Sequence, residues 1–110
     1  MYRGTTPTLP IRIPGTDLTQ ARLFLTIQDG KDERKQITLR SGEDFTVEWN
    51  DTANATDGQV KLTQEQTMML TEGDCKCQIR FVFADGSAGA TQIRSVGIAD
   101  VLLKELISYG

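Results

Sequence analysis

The chain has 110 residues, a length that fits one domain and can bury a self-supporting core. Its hydrophobic fraction of 38% and charged fraction of 25% are those of a globular protein rather than a disordered one. A net charge of −3, with the basic residues scattered among acids, lacks the basic stripe expected of a nucleic-acid-binding surface.

No run of residues approaches the ~20 apolar positions of a membrane helix. The opening Met1-Tyr2-Arg3-Gly4-Thr5-Thr6-Pro7 lacks the apolar core of a secretory signal, so synthesis and folding in a reducing cytoplasm are expected.

Period-two alternation of apolar and polar residues dominates the chain and predicts strands. Leu9, Ile11 and Ile13 alternate with Pro10 and Arg12, and Pro7, Pro10 and Pro14 flank or interrupt the segment, which predicts an edge strand or a loosely paired one. Residues 21–28 follow, with Leu23, Leu25 and Ile27 on one face, and Asp29-Gly30 predicts a turn. Residues 35–40 put Ile37 and Leu39 inward before a turn at Ser41-Gly42-Glu43-Asp44. Phe45, Val47 and Trp49 then share one apolar face, which predicts core positions for all three. Residues 50–58 are polar and turn-rich, and read as a mobile loop before a short strand over 59–63.

At Thr63-Gln64-Glu65-Gln66 the pattern becomes that of a capping box, which predicts a short helix or helical turn over 64–70. Met68, Met69 and Leu70 would plug the core from that side. The strongest strand is 75–84, with Cys75, Cys77, Ile79, Phe81 and Phe83 on one face. Asp85-Gly86 predicts a tight hairpin and residues 87–96 its returning strand, with Gly89 and Gly97 marking close packing or a bulge. In the tail, Val101, Leu102, Glu105 and Leu106 fit helical spacing with Asp100 as cap, giving a short C-terminal helix, with a final strand as the alternative. About seven short strands with turns between them predict an all-β, two-layer antiparallel sandwich over residues 1–110 as a single domain. The likeness to immunoglobulin domains is one of architecture, because their Cys…Trp…Cys spacing is absent.

The chain contains no histidine, which removes Ser-His-Asp and Cys-His catalysis and the usual general base at neutral pH. Neither glycine-rich phosphate-loop pattern occurs, and the acidic turn at 29–33 fails the spacing of a Ca²⁺ loop. Cys75 and Cys77, one residue apart, are a poor disulfide and too few for zinc, so they read as core residues. The carboxylates Glu43, Asp44, Glu48, Asp51 and Asp57 have no cleft with which to work as a glycosidase pair. No catalytic residue, metal site or cofactor is expected, and no small-molecule substrate.

Two features point to binding. Tyr2 and Arg3 precede the first strand on a free N-terminal arm. Leu102, Leu103, Leu106, Ile107 and Tyr109 make an apolar tail that docks either on its own core or on a neighbouring subunit. The proline-bearing edge strand is a further contact candidate through added strand pairing. Trp49 with Tyr2 or Tyr109 would offer a stacking platform for a sugar, a different kind of binding module.

The opening Met1-Tyr2-Arg3-Gly4-Thr5-Thr6-Pro7-Thr8, the turn Leu62-Thr63-Gln64-Glu65-Gln66-Thr67, Gln78-Ile79-Arg80, Asp85-Gly86-Ser87-Ala88 and the closing Val101-Leu102 resemble, in this order, a family of small uncharacterised phage and prophage proteins of gut Firmicutes-type bacteria. The arrangement is also similar to the N-terminal immunoglobulin-like domain of phage baseplate upper proteins, which docks a receptor-binding apparatus onto the tail. The sequence departs from that pattern by ending straight after the sandwich, without a helical linker or a receptor-binding part. The resemblance implies a virion-associated structural or adaptor protein made in the bacterial cytoplasm. It would contact other phage structural proteins or copies of itself, with Tyr2, Arg3, Leu103, Leu106, Ile107 and Tyr109 as interface residues. The alternative is a non-virion module, either carbohydrate-binding or an intracellular phage accessory protein.

Overall fold

The computed structural model describes residues 1–109. The strands are β1 (Thr8–Pro14), β2 (Arg22–Gln28), β3 (Gln36–Arg40), β4 (Val47–Asn50), β5 (Ala55–Lys61), β6 (Gly73–Val82), β7 (Ala88–Ala90) and β8 (Arg94–Ile98), and helix α1 (Gln64–Met69) lies between β5 and β6. All strand pairs are antiparallel. One sheet has the order β1-β5-β4, and the other has the order β3-β2-β6 with β7 and β8 sharing the far side of β6. The chain is thus the expected all-β, two-layer sandwich. It has eight strands among the described residues because the predicted return strand, 87–96, is cut in two.

Alternation places the core. Leu23, Leu25 and Ile27 of β2, Ile37 and Leu39 of β3, and Cys75 and Ile79 of β6 face inward from the second sheet to meet Ile11 of β1 and Val60 of β5. Burying each of the larger aliphatic side chains contributes about 1.5–3 kcal/mol. The β1–β2 connection adds Leu18, which is fully buried although no periodicity marks it. The buried Thr56 hydroxyl puts it there, donating to the Thr16 carbonyl at 2.6 Å and accepting from the Leu18 N–H at 2.9 Å.

Helix α1 has the predicted capping box: Gln66 N–H donates to Thr63 Oγ1 at 3.1 Å and Thr63 N–H donates to Gln66 Oε1 at 2.9 Å. Of its expected core plugs, only Leu70 is fully buried; Met68 packs over Gly4 and Met69 is exposed. Thr67 is buried in their stead, exchanging hydrogen bonds with the backbone of Thr5.

Several expectations are corrected. Residues 50–58 are not one loop, since β5 already begins at Ala55 and only 51–54 turn, with Asn54 at φ 51°. Asparagine tolerates that left-handed conformation. Phe45 is buried, but Val47 and Trp49 are only half-buried, and Trp49 stays outside the core because β4 is short and ends at the sandwich margin. Gly89 does answer a close approach, as a Cβ there would lie 2.6 Å from the Phe81 ring, whereas Gly97 faces open space. Residues 100–109 form neither the C-terminal helix nor the final strand. A helix of so few residues is marginal in water unless it buries an apolar face, and here no surface covers one.

The β2–β3 turn is held by Asp29, whose carboxylate is 1% exposed. It accepts from Thr71 N–H at 2.6 Å, Thr71 Oγ1 at 2.9 Å, Asp32 N–H at 3.0 Å and Lys31 N–H at 3.3 Å. Burial opposes its ionisation, but these four bonds outweigh that and hold its pKa below the ordinary 3.8. Stability from a depressed carboxyl pKa is complete above the unfolded-state value and is lost as pH falls through the folded one. Asp29→Asn is expected to cost about 2–3 kcal/mol at neutral pH, because an amide nitrogen replaces an acceptor in a ring of donors. Urea titrations should also show a flatter loss of stability below about pH 4 in the variant than in the parent. At the next residue, a Cβ on Gly30 would lie 1.8 Å from the Asp74 carbonyl oxygen. Gly30→Ala must therefore displace backbone, and should lower the urea midpoint by the equivalent of about 3 kcal/mol.

Candidate assembly surface

The N-terminus is not a free arm. Tyr2 forms a parallel bridge with Ala99: Arg3 N–H donates to Ala99 O at 2.9 Å and Ala99 N–H to Met1 O at 2.7 Å. The Met1 ammonium adds a bond to Gly97 O at 2.6 Å. Arg3 then works inside the fold, reaching Asp100 Oδ1 at 3.0 Å through Nη1 and the Met68 carbonyl at 2.9 Å through Nη2. The sequence placed Arg3 at an interface; the structure spends it on tying the first residues to α1 and to the root of the tail. Tyr2 keeps its side chain in solvent, 60% exposed.

Asp100 is the junction at that root. Its carboxylate accepts from Lys104 Nζ, from Val101 N–H at 2.8 Å and from Arg3, and these bonds hold its pKa well below the carboxylate range. Lys104 also donates to the Val101 carbonyl. Beyond it the chain lies along the β5–α1 corner, where Gln64 clasps Ile107 by donating from Nε2 to Ile107 O at 3.0 Å and accepting from Ile107 N–H at 3.0 Å. This clasp satisfies the backbone N–H and C=O of one residue and leaves most of the neighbouring apolar surface uncovered. Leu103, Leu106 and Ile107 remain more than half exposed, and Leu102 and Tyr109 are fully exposed. Four of the six predicted interface residues are thus gathered on one exposed tail segment, and Tyr2 borders its root.

A second feature carried no sequence signal beyond the prolines. The sheets part along one side to leave a groove of about 530 Å³, bounded by β1 and by the line of β7 and β8. Leu9, Ile11 and Ile13 form one wall, and Ile79, Phe81 and Val96 the other. The β7–β8 break keeps it open. Thr91 turns in to β6, its N–H donating to Ile79 O at 2.9 Å and its Oγ1 accepting from Ile79 N–H at 3.1 Å, so residues 91–93 leave the sheet.

The remaining candidates do not converge. Trp49 pairs with Thr56 near the Ala55 end of β5, while Tyr2 and the tail lie beyond the Lys61 end, so no aromatic platform forms between them. Cys75 is buried and Cys77 half-buried on the groove side, and both are free thiols. A hydrogen bond with Cys75, then burial, pushes the Cys77 thiol up. On the outer face of the first sheet, Arg12 Nε and Nη2 each reach Asp57 at 2.8 Å, which lowers the Asp57 pKa to about 2. No group of three or more metal-ligating side chains occurs among the described residues.

Comparison with known proteins finds no matching family and no matching curated protein. Among solved structures the chain is similar to AggA, the major subunit of aggregative adherence fimbriae type I from Escherichia coli, at 10% identity and a TM-score of 0.49 over 89% of this chain and 84% of that one. Likeness at this level transfers no property from one chain to the other.

Because Arg3 joins the N-terminus, α1 and the tail root, Arg3→Ala is expected to cost about 1–2 kcal/mol. Hydrogen exchange should quicken at residues 1–5 and 99–104 while the amides of β2 keep their protection.

Proposed function

We propose that this chain is a virion-associated structural or adaptor domain of a phage, part of its tail or baseplate and made in the bacterial cytoplasm. It acts through protein–protein contacts rather than by catalysis. The observation that carries the reading is the tail: five large apolar side chains between residues 102 and 109 are more than half exposed, two of them fully. Apolar side chains clustered on an exposed segment mark an interaction site more often than scattered ones do. The ordered resemblance to phage and prophage proteins supplies the setting, and the absence of histidine supports a non-catalytic role. The partners are other phage structural proteins or further copies of this chain. The sugar-binding alternative gains nothing from the placement of Trp49, which stands apart from both tyrosines.

Light scattering of the purified chain, with and without residues 101–110, tests this reading. Asp100 is retained so that its bond to Arg3 survives. The full chain is expected to self-associate or to bind a purified tail component. The shortened chain should be a monomer with an unchanged melting temperature. A monomer that binds no such component, and whose size and stability ignore the truncation, would overturn the proposal.

A further inference from the structure

We infer that the groove between the sheets of one molecule receives the apolar tail of a second copy. This rests on the assembly reading above and adds the receiving surface. The groove volume of about 530 Å³ falls within the range of built binding sites. Of its wall side chains, Leu9, Ile13, Phe81 and Val96 keep part of their surface free, while Ile11 and Ile79 are already buried in the core.

Length and charge identify the occupant. Nine residues, 101–109, span up to about 30 Å when extended, and the seven residues of β1 span about 23 Å. The tail can therefore run the full groove with residues left over to bridge two molecules. Lys104 is neutralised by Asp100, which leaves Glu105 as the unpaired charge of the tail among the described residues. Arg94 stands at the groove mouth, likewise without an ion pair among the described residues, whereas Arg12 of β1 turns its guanidinium to the outer face and binds Asp57 there. Glu105 and Arg94 complement each other. In the present seat of the tail Gln64 clasps the Ile107 backbone, while Leu103, Leu106 and Ile107 keep more than half of their surface exposed.

Side chains hold the occupant more than backbone does. Pro10 and Pro14 remove two N–H donors from β1, so an added strand would find an incomplete ladder. This revises the expectation of simple strand addition at that edge. A tail in a neighbour's groove is a heterologous contact. Each added molecule leaves one groove and one tail unused, so growth continues until a ring closes or a filament forms.

Two complementary variants test the inference. Ala90→Arg places bulk at the groove mouth from an exposed position while keeping the tail. Removing residues 101–110 takes the tail and keeps the groove. In sedimentation velocity each alone is expected to be monomeric, and an equimolar mixture should give dimers and nothing larger. Arg94→Glu should weaken association of the full chain about fivefold, and adding Glu105→Arg should restore it. If Ala90→Arg self-associates as the parent does while the truncated chain does not, the tail docks elsewhere: the groove assignment falls and the assembly reading stands. If truncation leaves association unchanged, the assembly reading falls as well. A monomeric parent whose groove amides are protected from exchange only when the tail is present would place the tail in its own groove and overturn the second-copy assignment.

Discussion

A buried carboxylate ties together segments that lie more than forty positions apart in the chain. Asp29 closes β2, and its two oxygens are saturated by donors from its own turn and from Thr71, 42 residues on. Gly30 lets that turn press against the backbone of Asp74. The two contacts fix where β6 starts. Its first residues, Gly73–Cys77, pair with β8, and the end of β8 sets where the N-terminus and the tail root meet at Ala99 and Asp100. A buried charge survives only when its acceptor sites are filled, so the geometry around Asp29 tolerates little drift. That constraint reaches the proposed interface through one strand.

The open side of the sandwich follows from how its edges end. The first sheet stops at β1, where prolines leave gaps in the donor row. The second stops at β7 and β8, separated where Thr91 turns in to bond β6. Natural sheets blunt their edges against uncontrolled pairing by such means. Here the same devices that discourage strand addition keep the groove from closing, so apolar side chains of both sheets stay within reach of a visitor. The tail meets the complementary condition: its root is pinned by an ion-pair junction, and beyond it the Ile107 backbone is clasped by Gln64 while the large apolar side chains stay more than half exposed. Ordering it costs conformational entropy, which burial of its leucines, isoleucine and tyrosine would offset.

Much of the architecture could be read along the chain because strands report their faces in a two-residue code. Leu23, Leu25 and Ile27 were inward by alternation and are inward in the fold. The same holds for Ile37 and Leu39, and Thr63 with Gln66 announced the helix start. Alternation states which side a residue faces but not how far a strand extends into the centre of a sheet. Trp49 obeys the pattern and still sits at the margin. Leu18 obeys none and is buried because Thr56 pulls its loop inward.

The sequence by itself determined the all-β sandwich, the absence of histidine chemistry and the apolar character of the last ten residues, since these depend on local composition and period alone. Only the tertiary structure decided that Arg3 serves the fold, that the tail is neither helix nor strand, and that a groove lies open between the edges. Each of those outcomes depends on which distant segments meet: Met68 with Arg3, Asp100 with Lys104 and Arg3, and β1 facing the broken line of β7 and β8. Contacts of that kind are set by long-range packing and by the saturation of buried polar groups, and they leave no periodic trace along the chain.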